Sequence, residues 1–298
     1  MKLLNAIAVN LRRAVFSVGF LCCVLGVFSM CFANTVGFDP QTMDPLTIPV
    51  ALMRPDLVKQ DVHYCAFHVF TAGSPLWVTM FTPVLAAFAY VPLLCDERRT
   101  QLSRLLIARQ GKLRYTAAHI FGAMLTGGLT MLCGFALFGI AAVILFPSLQ
   151  SYDAAVISSF LEEQAAGYPE MIAEKIRAGA FTTAVFLKCS EIFLFGAVSA
   201  LPALACAAIT QNKYTVLCLP FFAAYSWNQL ITRLSARAFM QPETNMNWLR
   251  FLAICPTNSV LSVFEHSTAE ILALHGGIAL LLILIFTIIM QRRRDCGA

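Results

Sequence analysis

Six apolar stretches dominate this sequence, five of them reaching about 20 residues and the sixth nearly so. That is the length a helix needs to cross a hydrocarbon core of ~30 Å. They lie near Ala14–Ala33, Pro75–Leu94, Ala117–Phe146, Thr182–Thr210, Tyr214–Ile231 and Ile271–Met290. In lipid the backbone polar groups must be satisfied within the segment, so these stretches predict helices. A membrane barrel would need apolar and polar residues in alternation, and these runs do not alternate. Only 12% of the chain is charged, against about 25% in a soluble domain. The expectation is an all-α, polytopic integral membrane protein: one domain over 1–298 with six transmembrane helices.

Charge sets the orientation. With six spans the two termini share a side. That side holds 13 basic residues, from Lys2, Arg12 and Arg13 through the Arg98–Arg114 region to Lys213 and Arg292–Arg294, against three acids. The other side holds 7 basic and 12 acidic residues. By the positive-inside rule the basic side is cytoplasmic. Both termini are therefore expected there, and the net charge of +5 reflects topology. A nucleic-acid partner would need a basic patch on a soluble domain, and none is present. The first apolar run is longer than the core of a signal peptide, so it reads as a retained span in spite of the loose Cys31-Phe32-Ala33 cleavage pattern. Of eleven cysteines, Cys65 and Cys255 fall outside the spans and could pair, though nothing in the sequence requires it.

Three outer segments separate the spans. The first, 34–74, carries Pro40, Pro45, Pro49 and Pro55 and is expected to be mostly irregular. The second, 147–179, reads as two short amphipathic helices broken at Gly167-Tyr168-Pro169 and lying on the outer leaflet. The third, 232–270, offers two apolar pieces, Trp248–Ile254 and Ser259–Phe264, split by Pro256, which fit a re-entrant or interfacial hairpin.

On the inner side only the connector Cys95–Thr116 is large enough to receive a protein. Read as one helix over 96–110, it places Leu102, Leu105 and Leu106 on one stripe, with Arg98, Arg99 and Arg109 largely elsewhere. Asp96 and Glu97 fall in its first turn, where the helix dipole favours acids. A basic helix held to anionic lipid is the alternative reading.

The run Phe81-Thr82-Pro83-Val84-Leu85-Ala86-Ala87-Phe88-Ala89-Tyr90, then Asp96-Glu97-Arg98-Arg99 and the Arg109-x5-Tyr115 spacing, resembles type-2 ABC exporter permeases of the bacterial six-span branch. The stretch Ile209–Tyr214 followed by Pro220-Phe221 resembles the turn between spans four and five of the same branch. The resemblance implies a cytoplasmic coupling helix after span two, seated in a groove of a separate ABC ATPase. It implicates Asp96, Glu97, Arg98 and Arg99, with Leu102, Leu105 and Leu106 as the packing face. It also implies a second permease subunit, alternating access, and a bacterial cell membrane. Two positions depart from the pattern. Gln101 stands where a small residue, often Gly, is common, and His119 stands where a Lys is common. There is no G-x-x-x-x-G-K-[ST] loop, so ATP hydrolysis would belong to the partner chain. The expected function is export of a lipid, drug or antimicrobial peptide. A non-transporting scaffold, assembly factor or sensor is the alternative.

Other constellations carry less. Lys188 and Glu191 lie three apart inside span four, which marks an intramembrane charge pair. The plainer reading is a neutralising pair near the outer end with Lys188 snorkelling. His63-x-Cys65-x-x-His68 has the residue types of a metal site, but a zinc site needs a further ligand and only Asp61 is near. Glu162-Glu163 and Glu170 read as a solvated face, and Gly73-Ser74-Pro75 lacks the loop of an intramembrane serine protease. No catalytic residue, cofactor or metal is expected. Ala123/Gly127 and Gly196/Ala200 have the four-residue spacing that lets membrane helices approach closely, within one subunit or across a dimer.

Overall fold

The computed structural model describes residues 2–33, 35–38, 45–72, 76–166, 170–240 and 268–292. Within them the chain is overwhelmingly helical. The helices are α1 (Lys2–Val15), α2 (Val18–Cys31), α3 (Ile48–Leu52), α4 (Pro55–Gln60), α5 (Ala66–Ala72), α6 (Leu76–Phe88), α7 (Val91–Arg99), α8 (Leu102–Gln110), α9 (Lys112–Leu145), α10 (Ala154–Ala166), α11 (Glu170–Arg177), α12 (Phe181–Ser199), α13 (Leu201–Ile209), α14 (Lys213–Met240) and α15 (Thr268–Arg292).

Among the described residues two helical units are long and apolar enough to cross a membrane, α9 and the α12–α13 pair over Phe181–Ile209. Two bent pairs raise this to four if each pair is one span: α1–α2, bent by 64°, and α6–α7, bent by 48°. The apolar part of α15, Gly276–Arg292, is shorter. The fifth expected stretch lies in α14, a single helix of 28 residues that runs on past Ile231 to Met240.

Each bend has a local cause. Ser17 caps α2, its hydroxyl accepting from the Phe20 amide at 3.1 Å, so the helix restarts there on a new axis. The bend falls inside the expected first span over 14–33: the amphipathic α1 ends at Val15, and the more apolar α2 begins at Val18. Pro92 sits in the first turn of α7, where a missing amide is harmless but the preceding helix cannot continue through it. Pro202 plays the same part at the start of α13.

α9 is the central post, and α1, α2, α5, α6, α8, α12 and α15 all pack on it. At 34 residues it is ~51 Å long, well beyond the hydrocarbon core. Its closest neighbour is α12. A Cβ on Gly127 would lie 2.7 Å from the Gly196 carbonyl oxygen, and one on Gly196 would lie 2.6 Å from the Gly127 carbonyl oxygen. The small residues at Gly127, Gly196 and Ala200 therefore serve contact within one subunit.

The segment expected to be mostly irregular is instead built. β1 (Thr35–Phe38) pairs antiparallel with β2 (Pro45–Thr47), and three short helices follow. The prolines mark beginnings: Pro45 opens a strand, while Pro49 and Pro55 occupy first-turn positions of α3 and α4. This small hairpin is the one departure from an all-α description among the described residues. With α10 and α11 it forms a cap over the end of α9, tied down where the Ala66 amide donates to Pro147 O at 2.9 Å and the Tyr152 hydroxyl donates to Val58 O at 2.9 Å. The two helices expected in 147–179 are α10 and α11, while their break at 167–169 lies outside the described residues. So do the proposed hairpin pieces 248–254 and 259–264, Pro256 and Cys255.

Candidate coupling site

The termini of α1, α7, α9, α13 and α15 and the start of α14 meet at the basic end of the bundle, around the connector. There the connector is not one helix over 96–110. α7 ends at Arg99, and α8 begins at Leu102. Thr100 stops α7 by donating its hydroxyl to Asp96 O at 2.8 Å. Gln101 then takes a left-handed conformation, φ 60°, the only positive φ of a non-glycine residue among those described. A single left-handed residue reverses the local chain direction enough to end one helix and turn the next away.

Two of the motif residues, Glu97 and Arg98, point into the protein. Glu97 is 3% exposed and Arg98 7%. Arg13 Nη1 donates to Glu97 Oε1 at 2.6 Å. His119 Nε2 lies 3.3 Å from Glu97 Oε2, and the Tyr115 hydroxyl donates to the same oxygen at 3.5 Å. On the far side of the ring, Tyr90 Oη is 2.8 Å from His119 Nδ1. A hydroxyl can donate as well as accept, so Tyr90 can serve Nδ1 in either role while Nε2–H faces the carboxylate. Burial pushes the Glu97 carboxyl up. The hydrogen bond and charge of His119 and the Arg13 guanidinium outweigh this and hold it below the usual glutamate range. Gly122 is required beneath this cluster, since a Cβ there would lie 2.6 Å from the Tyr90 hydroxyl.

Arg98 clamps a second element. Its guanidinium donates to Ala207 O and, at 3.5 Å, to Thr210 O. These are carbonyls at the C-terminus of α13, which have no partner within the helix. Asp96 takes a third, pairing with Lys213 Nζ at 2.7 Å beside the Thr210–Tyr214 turn. That turn is held by Asn212, whose Oδ1 accepts from the Tyr214 amide. Lys112 Nζ donates to Gln291 O at 2.9 Å and ties in the end of α15. Three consecutive residues of the connector thus reach α1, α9, α13 and α14.

α8 faces the other way. Ser103 and Ile107 are buried and Leu106 packs partly on the core. Leu105 is 70% exposed and Leu102 38%. Arg99, Arg104 and Arg109 are exposed around them. Of the residues expected to form one docking motif, the structure turns Leu102, Leu105 and Arg99 outward and Asp96, Glu97 and Arg98 to the chain itself. Leu106 sits between.

Arg13, Tyr90, Tyr115, His119 and Lys213 were not singled out by sequence reasoning as partners of the motif. The available signal was polarity in an apolar chain: His119 stands inside the third apolar run, and Arg13 at the edge of the first.

The remaining candidates lie elsewhere. Lys188 does not snorkel: it is 4% exposed, with Nζ 3.6 Å from Glu191 Oε2. His63, Cys65 and His68 belong to the cap. Among the described residues no group of three or more His, Cys, Asp or Glu is arranged to hold a metal ion. No family model, curated protein or solved structure matches this chain.

Proposed function

We propose that the chain is a membrane-spanning permease subunit of a bacterial ABC exporter, driven by a separate cytoplasmic ATPase. In this reading the six spans lie over 14–33 (mostly α2), over 76–94 (α6 with the first turn of α7) and in α9, α12–α13, α14 and α15, and both termini and the connector face the cytoplasm. A second permease subunit completes the pathway, and the cargo belongs to the lipid, drug or antimicrobial-peptide class.

The observation that carries this reading is the division of labour across Gln101. Before it, Asp96, Glu97 and Arg98 are bonded to four other helices. After it, α8 presents Leu102 and Leu105 to the exterior with arginines around them. A push on the exposed leucines would reach α1, α9, α13 and α14 through short, charge-assisted bonds, which hold their geometry better than apolar contacts do. The role assigned to Glu97 and Arg98 is therefore transmission inside the subunit, and the role of docking passes to α8. The two departures from the family pattern also acquire a physical sense. A left-handed residue at 101 is where glycine is at home, and a cation at 119 would face Glu97 as His119 Nε2 does.

The test is purification of the tagged full-length protein from its native membrane in mild detergent, with mass spectrometry of what accompanies it. A near-stoichiometric ATPase bearing a Walker motif, lost on Leu105→Asp, is the expected result. Leu105 is 70% exposed, so that variant leaves the fold intact. An intact protein that reproducibly brings no ATPase would overturn the reading in favour of a scaffold or sensor.

A further inference from the structure

At the end of the bundle opposite the connector, the cap contains a histidine whose surroundings differ in kind from those of His119. His63 lies in the short helical turn Val62–Tyr64, between α4 and α5. Its Nδ1 is 2.7 Å from Asp61 Oδ1, an oxygen that also accepts the His63 amide at 3.0 Å. Its Nε2 is 3.4 Å from Oε2 of Glu163, which belongs to α10 in the other half of the cap. Phe160, one turn earlier on α10 and 2% exposed, packs edge-on against the rings of both His63 and His68.

Both ring nitrogens therefore face ionised carboxylates, and a carboxylate only accepts. A neutral imidazole has one N–H, so whichever oxygen it serves, its other nitrogen turns a lone pair toward the second carboxylate. Only the imidazolium, with two N–H groups, satisfies both. His119 has no such requirement, because one of its neighbours is a hydroxyl. We infer that His63 is an acid-strengthened latch: protonation of its ring clamps α10 to the Asp61–Tyr64 turn, and deprotonation releases it.

The other titratable groups on elements packed against this turn are Asp56 and Lys59 of α4, His68 of α5 and Glu162 of α10. Two neighbours, the partly buried Tyr152 and the buried Cys65, stay out of the relevant range. Burial, aided by Cys65 and Asp61, pushes the Tyr152 phenol up to about 12, and burial raises the Cys65 thiol as well. His68 is the other imidazole beside the turn, with Nε2 3.4 Å from Val36 O. Its ring lies 5.7 Å from that of His63, so its protonation would oppose the latch. The latch spans two halves of the cap and is partly exposed, with the Glu163 side chain 68% accessible. Its strength is that of a surface ion pair, a factor of about two to five in the opening equilibrium.

Hydrogen exchange of the α10 amides reads this directly on the full-length protein in detergent micelles. It is measured at about pH 5.5 and about pH 8 and corrected for intrinsic exchange. The wild type is expected to gain about two- to five-fold protection of α10 in acid. His63→Gln and Glu163→Gln should each abolish that gain while leaving protection at the higher pH unchanged. His68→Gln should retain it. Absence of the acid gain in the wild type, its survival in both His63→Gln and Glu163→Gln, or its loss in His68→Gln would each overturn the proposal. Glu163 is so exposed that its amide variant cannot fail for want of folding. None of these outcomes depends on whether an ATPase docks at the other end.

Discussion

Arg13 Nη1 stands 2.6 Å from Glu97 Oε1 across 84 positions of sequence. This contact joins the amphipathic first helix to the connector. The two ends of the pair are not equally placed: the Arg13 side chain is 46% exposed and that of Glu97 4%. Truncating each end should therefore cost differently. Arg13→Ala leaves Glu97 with His119 and Tyr115, and the loss should stay near that of a surface pair, about 1 kcal/mol or less. His119→Ala takes one partner each from a buried carboxylate, which keeps Arg13, and from the buried Tyr90 hydroxyl, which keeps Asn10. It should cost about 1–3 kcal/mol, as the loss of buried hydrogen-bond partners does. Thermal unfolding in one fixed detergent would show the ranking. An Arg13→Ala variant less stable than His119→Ala would mean that the network is not centred on the buried ring.

The same carboxyl sets an acid limit. Glu97 is held below its ordinary value when folded. Such a group favours the fold at every pH above its unfolded value, about 4.3, and that contribution fades as pH falls through the lower folded value. Glu97→Gln, which keeps the shape without the charge, should be less stable than the wild type at neutral pH. The gap should narrow below about pH 4. Unfolding midpoints of the two proteins at neutral and acid pH test this. A gap that widens in acid would reverse the sign assigned to Glu97.

The broad architecture was legible because lipid leaves the backbone few choices. Apolar runs at 117–146 and 182–210 became α9 and α12–α13 with little adjustment. What composition alone does not reveal is where a helix stops within or beside an apolar run. Ser17, Thr100 and Gln101 break helices through single caps and a single dihedral angle, and no periodicity registers them. The prolines of 34–74 were visible but misleading, since proline marks a helix start as readily as an irregular loop. The site was half legible. Asp96–Arg99 drew attention as charge between apolar runs, whereas its partners Arg13, His119 and Lys213 come from distant parts of the chain and only the fold brings them together.

Gln101 offers a test of the break itself. A side-chain-bearing residue in the left-handed region carries about 1 kcal/mol or more of strain, and glycine carries none. Gln101→Gly should leave stability unchanged or raise it slightly, because relief of strain is offset by the greater freedom of glycine when unfolded. Gln101→Val should lower it by more than about 1 kcal/mol, since a β-branched residue is strongly disfavoured at positive φ. Unfolding midpoints of the three proteins separate the cases. Equal tolerance of valine and glycine would mean that α7 and α8 run on as one helix through residue 101.

Lys188 and Glu191 pose the remaining question, whether a buried charge pair inside α12 is retained for stability or for work. The two groups are 3.6 Å apart, with Lys188 4% exposed and the Glu191 side chain 13%. Removing one partner of such a pair leaves the other charge buried alone, which costs about 3–5 kcal/mol, whereas replacing both with apolar residues of similar volume is often neutral. Lys188→Met and Glu191→Leu should each lower the unfolding temperature markedly, and the double variant should recover most of the loss. If both singles are mild, water reaches the pair and its burial is not maintained in the membrane. The double variant then separates the two roles. If the proposed ATPase partner co-purifies, a well-folded protein that stimulates it fully would leave the pair a purely structural neutralisation. A well-folded protein that has lost that stimulation would mean the charges are kept for the transport cycle, at a position where lipid makes every unpaired charge expensive.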